Sequence, residues 1–240
     1  MHGTSPPIIP GELLLLAYRS GIFPMSDGRD DPEVFWVEPR RRAILPLDGF
    51  RLSKSLAKAI RQDRFRVTCN RAFDRVIAAC AEPRPEHPES WISARILASY
   101  RALHMSGDAH SIECWRGEDL VGGLYGVGFG GVFCGESMFS RADDASKVAL
   151  AWLVAVLKSG GAKLLDCQFI TEHLASLGAI EIAQERYVTL LGEAAAVGEE
   201  AGAGAGAASL PEAFGALLAE ADGAALSPSK LILQSLTQTS

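Results

Sequence analysis

From Phe50 onward the polar and apolar positions recur regularly. Leu52, Leu56 and Ile60 share one side at helical spacing while Lys54, Lys58 and Arg61 share another, and Ser53 stands where a cap is needed. RFRVTCN then alternates with period two and predicts a strand. AFDRVIAACAE and ISARILASYRALHMSG predict helices, separated by the proline-rich PRPEHPESW. HSIECWRG, LVGGLYGVGFG and GVFCG predict three strands divided by Gly-Glu-Asp and Gly-Gly turns. Asp143 or Asp144 is placed to cap a helix through ASKVALAWLVAVLKSGG, which Gly160 and Gly161 stop. AKLLDCQFI predicts a further strand, and TEHLASLGA a short helix ending at Gly178.

The flanks differ. Residues 1–43 are rich in proline and turn residues, with one helical pattern from Glu12 to Arg19, and predict a small N-terminal subdomain. Residues 44–192 form the main domain. From Glu193 the chain reads EAAAVGEEAGAGAGAASL, too poor in large apolar groups to offset the entropy of ordering, and a flexible linker is expected. Leu231, Ile232, Leu233 and Leu236 give the final segment an apolar side with which to dock on the body. The order strand, two helices, three strands, helix, strand, helix predicts an α/β (mixed α+β) domain with a GNAT-like acyltransferase core. Acetyl-CoA enzymes of that fold grip pyrophosphate with a glycine-rich turn at a helix start. Here the junction reads ESMFSRADDASK, without glycine and with two aspartates that repel phosphate.

Composition narrows the chemistry. The run from Leu13 to Tyr18 is far too short to span a bilayer, and no basic segment precedes it as in a secretory leader. Five cysteines (Cys69, Cys80, Cys114, Cys134 and Cys167) form no CxxC pair, and the histidines show no HExxH spacing. No metal, no membrane association and a reducing cytoplasmic location are therefore expected. The net charge of −6 disguises a strong asymmetry. Between Arg40 and Arg75 eleven Lys or Arg face three acids, a local charge of +8, which leaves −14 for the rest. Such a segment is a footprint for a polyanion, and Lys54, Lys58, Arg61, Arg64, Arg66 and Arg71 are its candidate contacts. A solvated helix face is the alternative.

Glu136 is the one carboxylate in VFCGESMFSR, among residue types that usually go inside. Either it points to solvent from a turn at Gly135, or it sits in a pocket for a cationic ligand. Asp166 and Gln168, two apart on a strand, project to the same face.

GIFPM, FCGESMFSR, ASK, LLDCQF and HLASLGA, in that order, resemble the leucyl/phenylalanyl-tRNA–protein transferases from about Glu12 to Tyr187. The resemblance implies transfer of leucine, phenylalanine or, less well, methionine from aminoacyl-tRNA to proteins with N-terminal Arg or Lys, marking them for degradation, without cofactor or metal. It implies that Glu136 holds the cationic acceptor, that Gln168 positions the attacking amine, and that Asp166 polarises and orients it. By position in the motif, Leu124, Phe133, Met138, Leu150, Leu153 and Leu165 line an apolar pocket for the transferred side chain. Trp91 is the candidate to stack on the terminal adenine. Where some relatives carry an aromatic residue after GIFP, this chain has Met25. Three rivals remain: an acetyl-CoA-dependent N-acetyltransferase, a non-catalytic tRNA-binding protein, and a cysteine hydrolase using Cys134 or Cys167 with His173.

Overall fold

A computed structural model describes residues 8–83, 90–197 and 207–237. The elements run α1 (Gly11–Arg19), β1 (Phe23–Met25), β2 (Phe35–Val37), β3 (Arg41–Ile44), α2 (Lys54–Arg61), β4 (Arg66–Cys69), α3 (Phe73–Cys80) and α4 (Ala94–Ser106). They continue with β5 (Ala109–Arg116), β6 (Asp119–Phe129), β7 (Val132–Ser140), α5 (Ala145–Ser159), β8 (Leu164–Gln168), α6 (Glu172–Ser176), β9 (Ile180–Ala183), α7 (Gln184–Ala195), α8 (Leu210–Gly223) and α9 (Pro228–Thr237). The fold is mixed α/β. Seven strands form one sheet in the order β4-β5-β6-β7-β8-β3-β9, and β1 and β2 form a separate ribbon. Every neighbouring pair is antiparallel except β7 and β8.

Each face of the sheet has its own core. On one, α2, α5, α8 and α9 pack on Ile112, Leu124, Phe133 and Leu165. The helix α5 is apolar on nearly all sides, and the sheet and the other helices enclose it, as such a sequence requires. On the other face α1, α3, α4 and α7 pack on Trp115, Tyr125, Val127 and Cys134. Residues 8–44 have no separate core: Ile9, Leu14, Tyr18 and Phe23 belong to this second cluster, and β3 runs across residue 43 into the main sheet.

Local signals account for most element ends. The Ser53 hydroxyl accepts the Leu56 N–H and caps α2, and Gly161 at φ 78° turns the chain after α5. Asp144 corrects the expected cap of α5. It stands at the helix start at φ 67° without capping, and its carboxylate reaches Lys147 (3.2 Å) instead. The expected linker from Glu193 also needs correction at both ends. Glu193 to Ala195 complete α7, and Leu210 begins a helix whose Phe214 ring packs 5.6 Å from that of Trp152. The core of the expected linker, 198–206, lies outside the described residues. The final segment does dock: Ile232 of α9 is buried, and Ser229 donates to Asp63 beside α2.

Candidate active site

β7 and β8 pair in parallel only from Val132↔Leu164 to Cys134↔Asp166, after which no ladder joins them. Both strands are irregular at that point. In β7, Gly135 pairs with Gly126 and Ser137 with Tyr125, so Glu136 is an extra, unpaired residue. In β8, Asp166 pairs with Ile44 and Gln168 with Ala43, so Cys167 is unpaired, and Gln168 ends the strand in the left-handed region at φ 60°. A bulge of this kind re-aims a side chain. Unbroken alternation would keep Cys134, Glu136 and Met138 on one side of the sheet. The bulge breaks that sequence: Glu136 stays on the side of Cys134, toward Tyr100 of α4, while Met138 packs on the α5 side. The reading of Glu136 as a solvent-facing turn residue does not survive: it is 7% exposed.

Three groups donate to its carboxylate. Tyr100 donates to Oε2 (3.0 Å) and Gln168 Nε2 to Oε1 (2.8 Å), the Tyr18 hydroxyl also bears on it, and the hydroxyls of Tyr18 and Tyr100 are themselves hydrogen-bonded. No ion pair reaches Glu136 among the described residues. Burial pushes its pKa up to about 7, against the three donors that hold it down, and repulsion from Asp166 adds to the rise. Burial and the charge on Glu136 push the hydroxyls of Tyr18, Tyr100 and Tyr125 well above the usual tyrosine range, so they stay protonated.

Asp166 lies on the same face in a different setting. It is fully buried. Its Oδ1 accepts from Arg42 Nε (2.8 Å) and the Gln168 backbone N–H (2.8 Å), and its Oδ2 from Arg42 Nη2 (2.5 Å) and the Tyr187 hydroxyl (3.0 Å). Arg42 is itself fully buried, donates to the Gly21 carbonyl (3.1 Å), and lies between the rings of Phe23 and Tyr187, 4.7 and 4.4 Å from their centroids. Burial alone would pull the guanidinium down; Asp166 outweighs it, and the pKa rises above the ordinary arginine value. Both Asp166 oxygens are engaged by these four donors and none of its surface is exposed; its link to Gln168 is the backbone N–H at the left-handed turn. Arg42 also leaves the basic footprint, since a buried guanidinium cannot meet a polyanion.

The other expected residues divide by face. Leu124, Phe133, Leu150, Leu153 and Leu165 are buried together on the α5 side, with half-buried Met138 against them. Gly126 makes room there, for a Cβ on it would stand 2.5 Å from the Phe133 ring. Trp91 is half-buried on the opposite side with Met25, and its carbonyl accepts from the Ser26 hydroxyl (2.8 Å). Lys54, Lys58, Arg61, Arg64, Arg66 and Arg71 are exposed on and after α2. Cys134 and Cys167 do not suit a nucleophile: burial first, and Asp166 second, push both thiols up. Tyr18, Tyr100, Arg42 and Tyr187 escaped the sequence reading. The available signal was a tyrosine or arginine inside an otherwise apolar stripe, where a polar tip demands a partner.

Profiles of the leucyl/phenylalanyl-tRNA protein transferase family match residues 44–192, and those of its N-terminal domain match residues 11–40. The chain belongs to this family. It is accordingly a transferase. The leucyl/phenylalanyl-tRNA–protein transferase of Novosphingobium aromaticivorans is 60% identical over the whole of both chains. That of Rhizorhabdus wittichii is 61% identical over 82% of this chain and 79% of its own, and that of Zymomonas mobilis 62% over 77% and 69%. Among the described residues no helix is long and apolar enough to cross a membrane, and no group of His, Cys, Asp or Glu is placed to hold a metal.

Proposed function

We propose that the opening between β7 and β8 is where an acceptor protein's N-terminal amine meets the ester carbonyl of an aminoacyl-tRNA. The observation that carries this is Glu136: a buried carboxylate with neutral donors and, among the described residues, no counter-ion, beside the point where the strands part. A carboxylate so placed suits the α-ammonium of a protein beginning with Arg or Lys, by charge-assisted hydrogen bonds. Glu136 takes a proton from that ammonium, and Gln168 aligns the amine. The nitrogen attacks the carbonyl carbon, the new C–N bond forms, and the C–O bond to the ribose breaks as the ribose oxygen takes up a proton. The ester is already activated, so alignment and proton transfer are what the enzyme must add.

The leucine or phenylalanine side chain, and less well that of methionine, enters the cluster of Leu124, Phe133, Met138, Leu150, Leu153 and Leu165. Trp91 meets the terminal adenine, and the basic surface from Lys54 to Arg71 follows the tRNA backbone. An acetyl-CoA reaction has less support, since Asp143 and Asp144 stand at the start of α5 where pyrophosphate would bind. The test is Glu136→Gln, which keeps shape and removes charge. It should weaken Arg- or Lys-initiated acceptors by roughly 10- to 100-fold while leaving aminoacyl-tRNA affinity nearly unchanged. A larger loss of donor than of acceptor binding would assign the carboxylate to the donor's own ammonium.

A further inference from the structure

Tyr18 and Tyr100 come from helices far apart in the sequence, yet their hydroxyls meet each other and Glu136 in one buried knot. Both are essentially unexposed. Core packing by itself calls for phenylalanine at such positions, because a buried hydroxyl is costly unless it finds a partner. Tyr125 provides the contrast within the same cluster. Its ring lies edge-on to Tyr100 at 5.6 Å, it is equally buried, and its hydroxyl has no hydrogen-bond partner among the described residues. One tyrosine hydroxyl is therefore idle while two converge on a carboxylate that lacks a cation.

We infer that the Tyr18–Tyr100 pair keeps Glu136 ionised and aimed at the acceptor amine, so that both tyrosines are positioning residues of the transfer reaction. Neutral donors suit this task better than a lysine or arginine would. A fixed cation at Glu136 would compete with the acceptor's own ammonium for the carboxylate, as Arg42 occupies Asp166. Hydroxyls favour the charged form without neutralising it. The remaining groups facing Glu136 do not replace them. From β8 come Gln168, a neutral donor, and Asp166, whose charge opposes ionisation. From β7 comes the Cys134 thiol, and from β6 Tyr125, with Cys80 of α3 behind it. Arg42 of β3 is committed to Asp166.

This inference rests on the proposed role of Glu136, and the experiment separates the two. Single-turnover transfer to an Arg-initiated peptide is followed at saturating aminoacyl-tRNA from about pH 5.5 to 8.5 for the native protein, Tyr100→Phe, Tyr18→Phe, Tyr125→Phe and Glu136→Gln. The acceptor amine's own titration is common to all and cancels in the ratio to the native protein. Loss of a donor to the charged form raises the Glu136 pKa. Tyr100→Phe should therefore lose about tenfold below neutral pH and recover most of it at the alkaline end. Tyr18→Phe should follow in the same direction, and Tyr125→Phe should match the native profile. In parallel, 13C NMR of the labelled Glu136 carboxyl should titrate at higher pH in Tyr100→Phe, whatever the activity. A pH-independent loss in both Tyr100→Phe and Tyr18→Phe, with the carboxyl titration unmoved, overturns the tyrosine assignment. A native-like pH profile in Glu136→Gln overturns the role of Glu136 itself.

Discussion

Asp166 and Glu136 are buried on the same face of the same sheet, and they differ in what compensates them. Asp166 has a full counter-charge in Arg42, four hydrogen bonds and no route to solvent. Glu136 has neutral donors, no cation among the described residues, and a place where two strands separate. The first arrangement is complete in the free protein; in the proposed reaction the second is completed by the acceptor's ammonium. A satisfied buried ion pair fixes geometry, whereas a buried charge without a counter-ion is what a binding site for a cation requires.

Removing the counter-ion should break the contrast most severely. Arg42→Met strands a buried carboxylate and should cost roughly 3–5 kcal/mol in urea denaturation at neutral pH. The double variant Arg42→Met/Asp166→Leu should regain much of that stability while transfer stays low, because the Gln168 turn has lost its anchor. Recovery of both would remove Asp166 from the catalytic arrangement altogether.

Glu136 should show its lack of a cation in the pH dependence of stability. Its pKa rises from 4.5 to about 7 on folding. The native state thus binds the proton more tightly than the unfolded chain, and its contribution to stability is full below about pH 4.5 and is lost as pH rises through about 7. The loss is on the order of 3 kcal/mol from this group. Stability curves of Glu136→Gln should lack that decline, and at pH 8 the variant should be as stable as the native protein or more so. A parallel decline in the variant would place the titration on another group.

The smallest effect is expected at the exposed basic surface. Reversing Lys54, Lys58 and Arg61 should change stability by no more than about 0.5 kcal/mol but should flatten the dependence of log tRNA affinity on log salt. An unchanged salt slope would return α2 to an ordinary solvated face.

How much of this was legible in the sequence depended on whether the information was local. The helices and strands from Ser53 to Gly178 follow from periodicity and punctuation, which neighbouring residues carry themselves. Helix α8 had its own signals, a Ser209–Glu212 capping box and Leu210, Phe214 and Leu217 on one side, but they stand in an Ala/Gly-rich stretch whose composition suggests a linker. The bulge at Glu136 could not be read at all. It is a mismatch of register between β6 and β7, and only pairing with Gly126 and Tyr125 defines it. Arg42 was hidden for a related reason: in a row of three arginines nothing local singles out the one whose partner lies 124 residues away.

The place of β3 has a consequence for the order in which the protein can be made. This strand leaves the ribosome early, yet both its neighbours, β8 and β9, are among the last strands synthesised. Until residue 183 has emerged, β3 has no complete seat, and Arg42 stays in water without its carboxylate. Contacts of such long sequence separation are slow to form. In a nascent chain halted before β8, β7, the strand that carries Glu136, has no partner for its second edge. Closure of that edge brings Asp166 and Gln168 to Glu136 in the same step, late in synthesis.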